Sequence, residues 1–434
     1  MEFKARRHLI IMISAVVGLN WGDEGKGRMV DYYAKKADCV IRFQGGDNAG
    51  HTVVNDHGKF AFHNFPSGIC YDNVVNIIAP GSVVNPKSFL KELSELTKSG
   101  LNITPDNIVI SDRAILILPY HMILEKLEEE RLKDKKYGST MSGIAPSYGH
   151  KYLKKGIQAG ELLYPDYLKE HVKDVVDYVN LYVEGGYKGE KISYDEIMDF
   201  LKVYGEKMTP YIKDIQPIIS SMIYDNKNII LEAQLGALRD ITHGIYPYTT
   251  SSSTLAGYAC SSIPVSPNKI KQITGITKAY STCVGEGPFV TELFGKIADT
   301  IRETGKEYGA KTGRPRRIGY FDTVATRYGC CMQSATEMVV TCLDVLTGHN
   351  ELKICTAYEI NDKITSVFPL NMALLKAKPV YETVKGWDED ITKIRIFNDL
   401  PENAKIYIEK IEYYTGINVK NISVGPERDA LILR

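Results

Sequence analysis

The stretch GLNWGDEGKG at residues 18–27 decides the fold, because it joins an apolar run to an amphipathic one through a glycine-rich turn. The preceding residues 8–18 are rich in β-branched side chains and predict a buried strand, and residues 26–36 predict a helix. Glycines let backbone N–H groups turn towards a ligand, while the helix N-terminus and Lys26 add positive charge. The stretch therefore predicts a phosphate-binding loop after a first β-strand.

This loop differs from a Walker A motif, since its spacing is longer and Gly27 stands where that motif has a metal-binding Ser or Thr. It also places a carboxylate, Asp23, inside the predicted phosphate site. An anion beside phosphate is unfavourable unless it binds Mg²⁺ or takes a proton. Asp23 is thus a candidate metal ligand or base, and the alternative is a plain strand–helix turn with a solvated Asp-Glu pair.

Beyond the loop, short apolar runs alternate with longer amphipathic runs. Strands are predicted at 40–43, 74–79, 107–110, 228–232 and 353–360, and helices at 84–98, 120–134 and through 161–214. This alternation predicts an α/β fold around a large, mostly parallel sheet. No repeat or Pro/Ser-rich linker interrupts it, so we expect one domain with helical insertions over residues 1–434.

Composition argues against several classes of protein. The 53 basic and 53 acidic residues give a formal net charge of zero, which does not support nucleic-acid binding or a polybasic membrane anchor. Eight scattered cysteines without a CxxC pair are typical of reduced thiols. The basic and apolar start of the chain resembles a secretory leader, but we favour a buried strand because it leads straight into the glycine-rich loop. No apolar run is long enough to span a bilayer, and a cytoplasmic protein is expected.

Two further segments contain candidate functional side chains. QGGDNAGHT at 44–52 follows a predicted strand and offers the amide of Asn48 and an imidazole, His51, that can act as an acid near neutral pH. TGRPRR at 312–317 places three arginines around a turn, which suits recognition of carboxylate or phosphate. The alternatives are a structural histidine and a solvated basic loop.

Together and in this order, the segments resemble the adenylosuccinate synthetase family. The motifs are WGDEGKG at 21–27, GGDNAGHT at 45–52, PSGI at 66–69, HGIYPYTTSS at 243–252, KAYST at 278–282, VGEGPFVTEL at 284–293, TGRPRR at 312–317, LDVLTG at 343–348 and GPER at 425–428. The resemblance implies a ligase that joins L-aspartate to IMP with GTP and Mg²⁺, through 6-phosphoryl-IMP. It also implies one α/β domain in a homodimer, with a phosphate loop related to the P-loop.

Roles for individual residues also follow from the resemblance. Asp23 is the implied base and, with the carbonyl of Gly50, the implied metal ligand; His51 and Lys26 complete the implied catalytic set. The implied IMP contacts are Asp23, Glu24, Gly25, Lys26, Asn48, Ala49, Gly50, His51, Thr140, Lys154, Gln234, Thr250 and Arg314. The implied aspartate contacts are Lys311, Thr312, Gly313 and Arg314. The implied GTP contacts are Gly22, Gly25, Lys26, Gly27, Gly50, His51, Thr52, Arg316, Asp344, Ser423 and Gly425.

The chain departs from the family pattern near the acceptor. EAQLG at 232–236 replaces EGAQG, so Leu235 holds the glutamine position and Gln234 stands one residue early, on the opposite face of an extended strand. Lys154 replaces an arginine that crosses the dimer interface, and Lys311 replaces a threonine. Cys283 and Cys342 replace basic residues. One alternative is therefore a paralogue that uses dGMP, GMP or another amino acid; a non-catalytic GTP-binding regulator is less favoured, because Asp23, Lys26 and His51 are retained.

Overall fold

The computed structural model describes residues 13–309 and 313–434. Its strands are β1 Ile13–Gly18, β2 Cys39–Arg42, β3 His51–Asn55, β4 Gly58–Phe62, β5 Val75–Ile78, β6 Val83–Val84, β7 Ile108–Ser111, β8 Ile115–Leu116, β9 Ile212–Lys213, β10 Ile229–Glu232, β11 Ile270–Lys278, β12 Ser281–Cys283, β13 Glu292–Leu293, β14 Arg317–Gly319, β15 Phe321–Asp322, β16 Glu337–Thr341, β17 Glu351–Ile360, β18 Lys363–Thr365, β19 Lys378–Lys385, β20 Val419–Ser423 and β21 Leu431–Leu433.

The α-helices are α1 Lys26–Ala34, α2 Pro86–Lys98, α3 Pro119–Leu132, α4 Ile144–Tyr152, α5 Pro165–Asn180, α6 Tyr194–Phe200, α7 Glu206–Met208, α8 Ile215–Tyr224, α9 Ala259–Ser262, α10 Lys296–Thr304, α11 Thr323–Gln333, α12 Asn371–Leu374 and α13 Glu402–Thr415. α5 and α6 each continue into a π-type segment. The predicted helical region 161–214 is therefore several helices, and it ends in the short strand β9.

Within the described residues, ten strands form the central sheet in the order β21-β20-β16-β11-β1-β10-β2-β5-β7-β9. Neighbouring strands are parallel throughout, except for the antiparallel pair β20–β21. β2 and β10 are buried along their whole length, as expected for parallel strands covered on both faces. The predicted α/β fold with a mostly parallel sheet is confirmed.

The predicted strands at 40–43, 74–79, 107–110 and 228–232 are all present in this sheet, with boundaries shifted by about one residue. Residues 13–18 of the predicted first strand are confirmed, and residues 8–12 lie outside the described residues. The predicted strand at 353–360 exists as β17, but it belongs to a separate sheet with β15, β18 and β19. Its antiparallel pairing with β19 runs from Glu351 to Glu359, a long-range contact that periodicity does not reveal.

Parallel strands place their carboxyl ends on one edge of a sheet, where ligands bind in open α/β folds. The loops after β1, β2, β10, β11, β16 and β20 all leave from that edge. They contain the predicted phosphate loop, the GGDNAGHT segment and Asp344.

Candidate active site

Glu24 shapes the glycine-rich loop after β1. Its Oε1 accepts hydrogen bonds from the backbone N–H of Gly22 at 2.7 Å and of Asn20 at 3.2 Å, and its Oε2 lies 2.5 Å from Lys26 Nζ. Both charged side chains are buried. The carboxylate therefore fixes the conformation of the loop by accepting these hydrogen bonds, and it holds the Lys26 ammonium at the start of α1. The predicted contact of Glu24 with IMP stays a prediction; the structure shows that its carboxylate is used within the loop.

One close approach, at Gly27, and one left-handed backbone conformation, at Gly25, favour glycine in this loop. A Cβ on Gly27 would lie 2.5 Å from Cβ of His51, so the absence of a side chain lets β3 pack against the first turn of α1. Asp23 and Gly25 have positive φ angles of 60° and 94°. Glycine adopts such a backbone at little cost, whereas Asp23 is one of the few other residue types that tolerates it.

His51 is buried beside a second carboxylate, Glu232. The imidazole Nδ1 lies 2.5 Å from Glu232 Oε1, and since a carboxylate only accepts, Nδ1 carries the proton. Burial and the charge of Arg42 lower the pKa of His51 to about 4, against the opposing influence of Glu232. The ring is therefore neutral at pH 7. Its Nε2 is buried and has no hydrogen-bond partner among the described residues, so it is available to a ligand.

Glu232 itself is fully enclosed by donors. Ser67 donates from its N–H at 2.8 Å and from its hydroxyl at 2.6 Å, and Arg42 lies 3.6 Å away. Burial opposes ionisation, but Arg42, His51 and Ser67 outweigh it and lower the pKa of Glu232 to about 2. Glu232 was not predicted as a functional residue. A charged residue at the end of the apolar run IILE was the one signal that pointed to it.

Asp23 faces a cavity of about 670 Å³ on the carboxyl edge of the sheet. The predicted acceptor residues that line it are Asp23, Asn48, Ala49, Gly50, Thr140 and Thr250. The buried Oδ1 of Asn48 has no hydrogen-bond partner in the described chain. The structure thus gathers residues from four separate segments around one space, which is large enough for a nucleotide.

Gln234 does not line this cavity. Its Oε1 accepts from the backbone N–H of Gly46 at 3.3 Å, and its backbone carbonyl accepts from Gln44 Nε2 at 2.8 Å. Leu235, in a left-handed conformation with φ 58°, lines the cavity instead. Gln234 therefore does not contact the cavity: the strand ends at Glu232, and the Gln234 side chain is held by the 45–46 turn.

Arg239 closes the wall of the cavity beside Leu235. Its guanidinium donates to the carbonyls of Tyr248 and Val284, the latter at 2.6 Å, and lies 3.0 Å from Cys283 Sγ. It thereby ties the HGIYPYTTSS segment to the VGEGPF segment across the mouth of the cavity. Sequence reasoning noted the exchange at Cys283 but missed the guanidinium that contacts it.

The predicted aspartate-binding loop is described only in part, because Lys311 and Thr312 lie outside the described residues. Gly313, with φ 64°, and Arg314 are exposed, and Gly309 beside them lines the cavity. Lys154 follows α4 and is also exposed, and it does not line the cavity of its own chain.

The implied GTP contacts Asp344, Ser423 and Gly425 lie outside the acceptor cavity. Asp344 follows β16 and Ser423 ends β20, with Gly425 two residues later. Arg28, which was not predicted, donates to Ser423 Oγ and, at 2.9 Å, to the carbonyl of Ala430. Burial raises the pKa of Asp344, and Arg28 acts in the opposite direction.

Two predicted GTP contacts, Thr52 and Arg316, and one departure from the family pattern, Cys342, remain to be placed. Thr52 is exposed on β3, next to buried His51. Arg316 lies with its Nε 3.2 Å from Asp23 Oδ2. Cys342 has a φ of 59° between β16 and Asp344.

Within the described residues, no group of three or more His, Cys, Asp or Glu side chains is arranged to hold a metal ion. Mg²⁺ is commonly bound by one or two carboxylates together with substrate phosphates and water. Asp23, whose side chain is 29% exposed, and the backbone of Gly50 both border the cavity and fit that kind of site.

The helices described here include none that is long and apolar enough to cross a membrane.

Comparison with known proteins is consistent along the whole chain. The family model described as adenylosuccinate synthetase matches residues 15–432. Proteins named adenylosuccinate synthetase from Dehalococcoides mccartyi and Clostridium botulinum are 45% and 43% identical, over 97% and 96% of this chain and 100% and 98% of their own.

Two solved structures extend the comparison. Fully ligated adenylosuccinate synthetase from Plasmodium falciparum superposes with a TM-score of 0.91 at 33% identity, covering 98% of this chain and 100% of its own. Cyanophage S-2L succinoaminodeoxyadenylate synthetase, bound to dGMP and dATP, has a TM-score of 0.63 at 16% identity, covering 98% and 95%. The second match shows a shared fold alone.

Proposed function

The chain belongs to the adenylosuccinate synthetase family and is a GTP-dependent ligase of IMP and aspartate, and we propose that its two chemical steps share the cavity around Asp23. In the first step the Asp23 carboxylate takes the N1 proton of IMP, and O6 attacks the γ-phosphorus of GTP as GDP leaves. In the second step the amine of aspartate attacks C6 and phosphate departs. The products are adenylosuccinate, GDP and phosphate.

The first step needs charge neutralisation and alignment more than covalent help from the protein. Lys26 and the first N–H groups of α1 supply positive charge where the phosphates would lie. His51 presents Nε2 to the transferring phosphoryl group. Its neutral state in the free protein means that the anionic ligand must raise its pKa before it can act as an acid.

Magnesium is the metal we propose for this site, with Asp23 and the carbonyl of Gly50 as its protein ligands. When bound, the ion neutralises charge on the transferring phosphoryl oxygens. We assign the remaining contacts as the family resemblance implies, except that Leu235, and not Gln234, borders the purine. Arg314 and the 311–313 segment receive aspartate, and Arg316, Asp344, Ser423 and Gly425 receive GTP.

We further propose a homodimer of single-domain subunits spanning residues 1–434. Lys154 is exposed and outside the cavity of its own chain, which suits a contact with the nucleotide phosphate in the partner's site. Lysine keeps the charge of the family's arginine but not its bidentate geometry. The cytoplasm is the proposed compartment, because the eight cysteines are all free thiols.

The observation that carries the proposal is the position of Asp23, which both belongs to the phosphate loop and lines the acceptor cavity. The test is to incubate purified protein with IMP, L-aspartate and GTP–Mg²⁺ and to measure adenylosuccinate, GDP and phosphate. All three should appear in equal amounts, and none when any substrate is omitted. GTP binding without adenylosuccinate would contradict the proposal.

Parallel reactions with dGMP, GMP and XMP, and with other amino acids, test acceptor choice. We expect IMP and aspartate to be used in strong preference. The altered-acceptor alternative rests on Leu235, Lys154 and Lys311, whereas relatives at 43–45% identity carry the adenylosuccinate synthetase name.

A further inference from the structure

Glu307 is a buried carboxylate that no predicted role explains. Its side chain is 1% exposed and accepts hydrogen bonds from three different residues. Lys278 Nζ lies 2.6 and 2.7 Å from its two oxygens, the Tyr280 hydroxyl lies at 2.5 Å, and Arg316 Nη1 lies at 2.6 Å. One carboxylate thus holds two cations, and both oxygens are fully used.

Arg316 extends this cluster to the reacting groups. Nη1 of its guanidinium contacts Glu307, while Nε lies 3.2 Å from Asp23 Oδ2. Asp23 and Glu307 are 284 residues apart in sequence, and a single planar side chain joins them. Because a guanidinium is planar and rigid, fixing one edge on Glu307 limits where the other edge can reach.

The backbone of Glu307 holds the same region. Its carbonyl accepts from the N–H of Arg316 at 2.9 Å, and within the loop Gly309 donates to the carbonyl of Arg314 at 2.8 Å. Tyr308 and Pro315 form an isolated antiparallel bridge between these bonds. Glu307 therefore lies shortly before the segment that contains the proposed aspartate contacts.

The charge balance explains why the carboxylate is required. Burial opposes its ionisation, but Lys278 and Arg316 outweigh burial and lower the pKa of Glu307. Removing one member of a buried ion pair leaves the other charge uncompensated. With Glu307 neutral, Asp23 becomes the nearest carboxylate for Arg316, and the two would pair more tightly.

We propose that Glu307 is a positioning residue that keeps Arg316 from closing on Asp23 and holds Arg314 and Arg316 beside the phosphate site. It acts through Arg316 and touches no substrate. The inference rests on the proposed function for the roles of Asp23 and the loop, whereas the contacts themselves are independent of it.

The experiment compares Glu307→Gln, Arg316→Ala and the double variant in the full-length protein. We expect Glu307→Gln to lower kcat by about 10–100-fold, as for other residues that orient an active group through a neighbour. KM for aspartate and for GTP should rise, while KM for IMP changes by less than about threefold. In the double variant kcat should lie within about threefold of Arg316→Ala alone, because coupled residues are non-additive.

Glu337→Gln serves as the matched control. Glu337 begins β16, on the edge of the sheet away from the site, and accepts from Gln272 at 2.6 Å and from Thr274 at 2.8 Å. Its donors are neutral and it lies outside the site, so this variant should leave the kinetic constants unchanged. If Glu307→Gln shifts only the melting temperature, or if its effect multiplies with that of Arg316→Ala, the proposal is wrong.

Two milder variants cover the case in which Glu307→Gln does not fold. Tyr280→Phe removes one donor and Glu307→Asp shortens the carboxylate, so each should give a smaller change with the same KM pattern. A uniform change in all three KM values, or none, overturns the proposal. GTP affinity, measured by calorimetry without IMP, gives a readout that does not depend on turnover. We expect GTP to bind more weakly to Glu307→Gln than to the wild-type protein. An unchanged affinity would count against the proposal. Failure of the wild-type protein to make adenylosuccinate would instead count against the proposed function.

Discussion

The phosphate loop and the acceptor cavity differ in how their polar side chains are buried and paired. Around the loop, Lys26 pairs with Glu24 and His51 with Glu232, and all four side chains are buried. In the cavity, an apolar side chain, Leu235, stands at the position where family members have a glutamine, and Lys154 lies outside. The phosphate site is therefore built from buried, mutually paired side chains, whereas the acceptor wall is built from loop residues that face the cavity.

This difference has a physical origin. A buried charge is tolerated only with its partner, so changing one member of such a pair is costly. Residues on a loop that faces a cavity are free of that constraint, because water or ligand can satisfy them. Changes near the loop should thus reduce kcat, and changes in the wall should alter KM.

Asp23→Asn should have the largest effect. The amide cannot take the N1 proton, so kcat should fall by about 10²–10⁴-fold, the contribution typical of general acid–base catalysis. GTP affinity, measured by calorimetry, should remain within a few fold of wild type. Turnover near the wild-type rate would refute the assignment of Asp23 as base.

Glu232→Gln should have the next largest effect. The amide has the same shape but no charge, and it can present NH₂ to the imidazole, so the protonated Nδ1 is no longer enforced. We expect kcat to fall by about 10–100-fold with little change in KM for IMP. A rate within twofold of wild type, with the fold intact by circular dichroism, would show that His51 does not need this partner.

The burial of His51 should also appear in stability. Its folded pKa of about 4 lies below the ordinary 6.5, so between those values the unfolded chain binds more protons and stability falls as pH is lowered from 6.5 to 4. At 1.36 kcal/mol per pKa unit the loss is at most about 3 kcal/mol. The free energy of unfolding of His51→Asn, measured by urea titration, should therefore fall less than that of the wild type between pH 6.5 and 4. Contributions from other buried histidines are the same in both proteins and cancel when the two are subtracted. Parallel plots of unfolding free energy against pH for the two proteins would contradict the prediction.

Leu235→Gln should have the smallest effect and tests the acceptor wall. An amide at the cavity surface adds one hydrogen bond to the purine, which is worth about 0.5–1.5 kcal/mol. KM for IMP should therefore fall by about 2–10-fold while kcat stays within threefold. A loss of kcat larger than tenfold would mean that the wall and the phosphate loop are not separate in the way proposed here.

Much of the fold was predictable because it is local. The runs at 40–43 and 228–232 are mostly apolar, with one charged residue each, and the structure confirms buried strands there, Cys39–Arg42 and Ile229–Glu232. The membership of β17 in a separate sheet was not predictable, since its partner β19 lies about 20 residues further along and pairs through half-buried residues. The orientation of Gln234 depended on the turn at Gly46, which only the folded chain brings close.

By itself the sequence determined the phosphate loop, the α/β class and the family, because glycines, charges and apolar periodicity are properties of neighbouring residues. Only the tertiary structure decided which carboxylates contact the candidate catalytic and binding side chains. Glu232 reaches His51 across 181 positions and Glu307 reaches Asp23 through Arg316. A buried ion pair is made by whichever strands and loops the fold places side by side, and no local pattern encodes that neighbour.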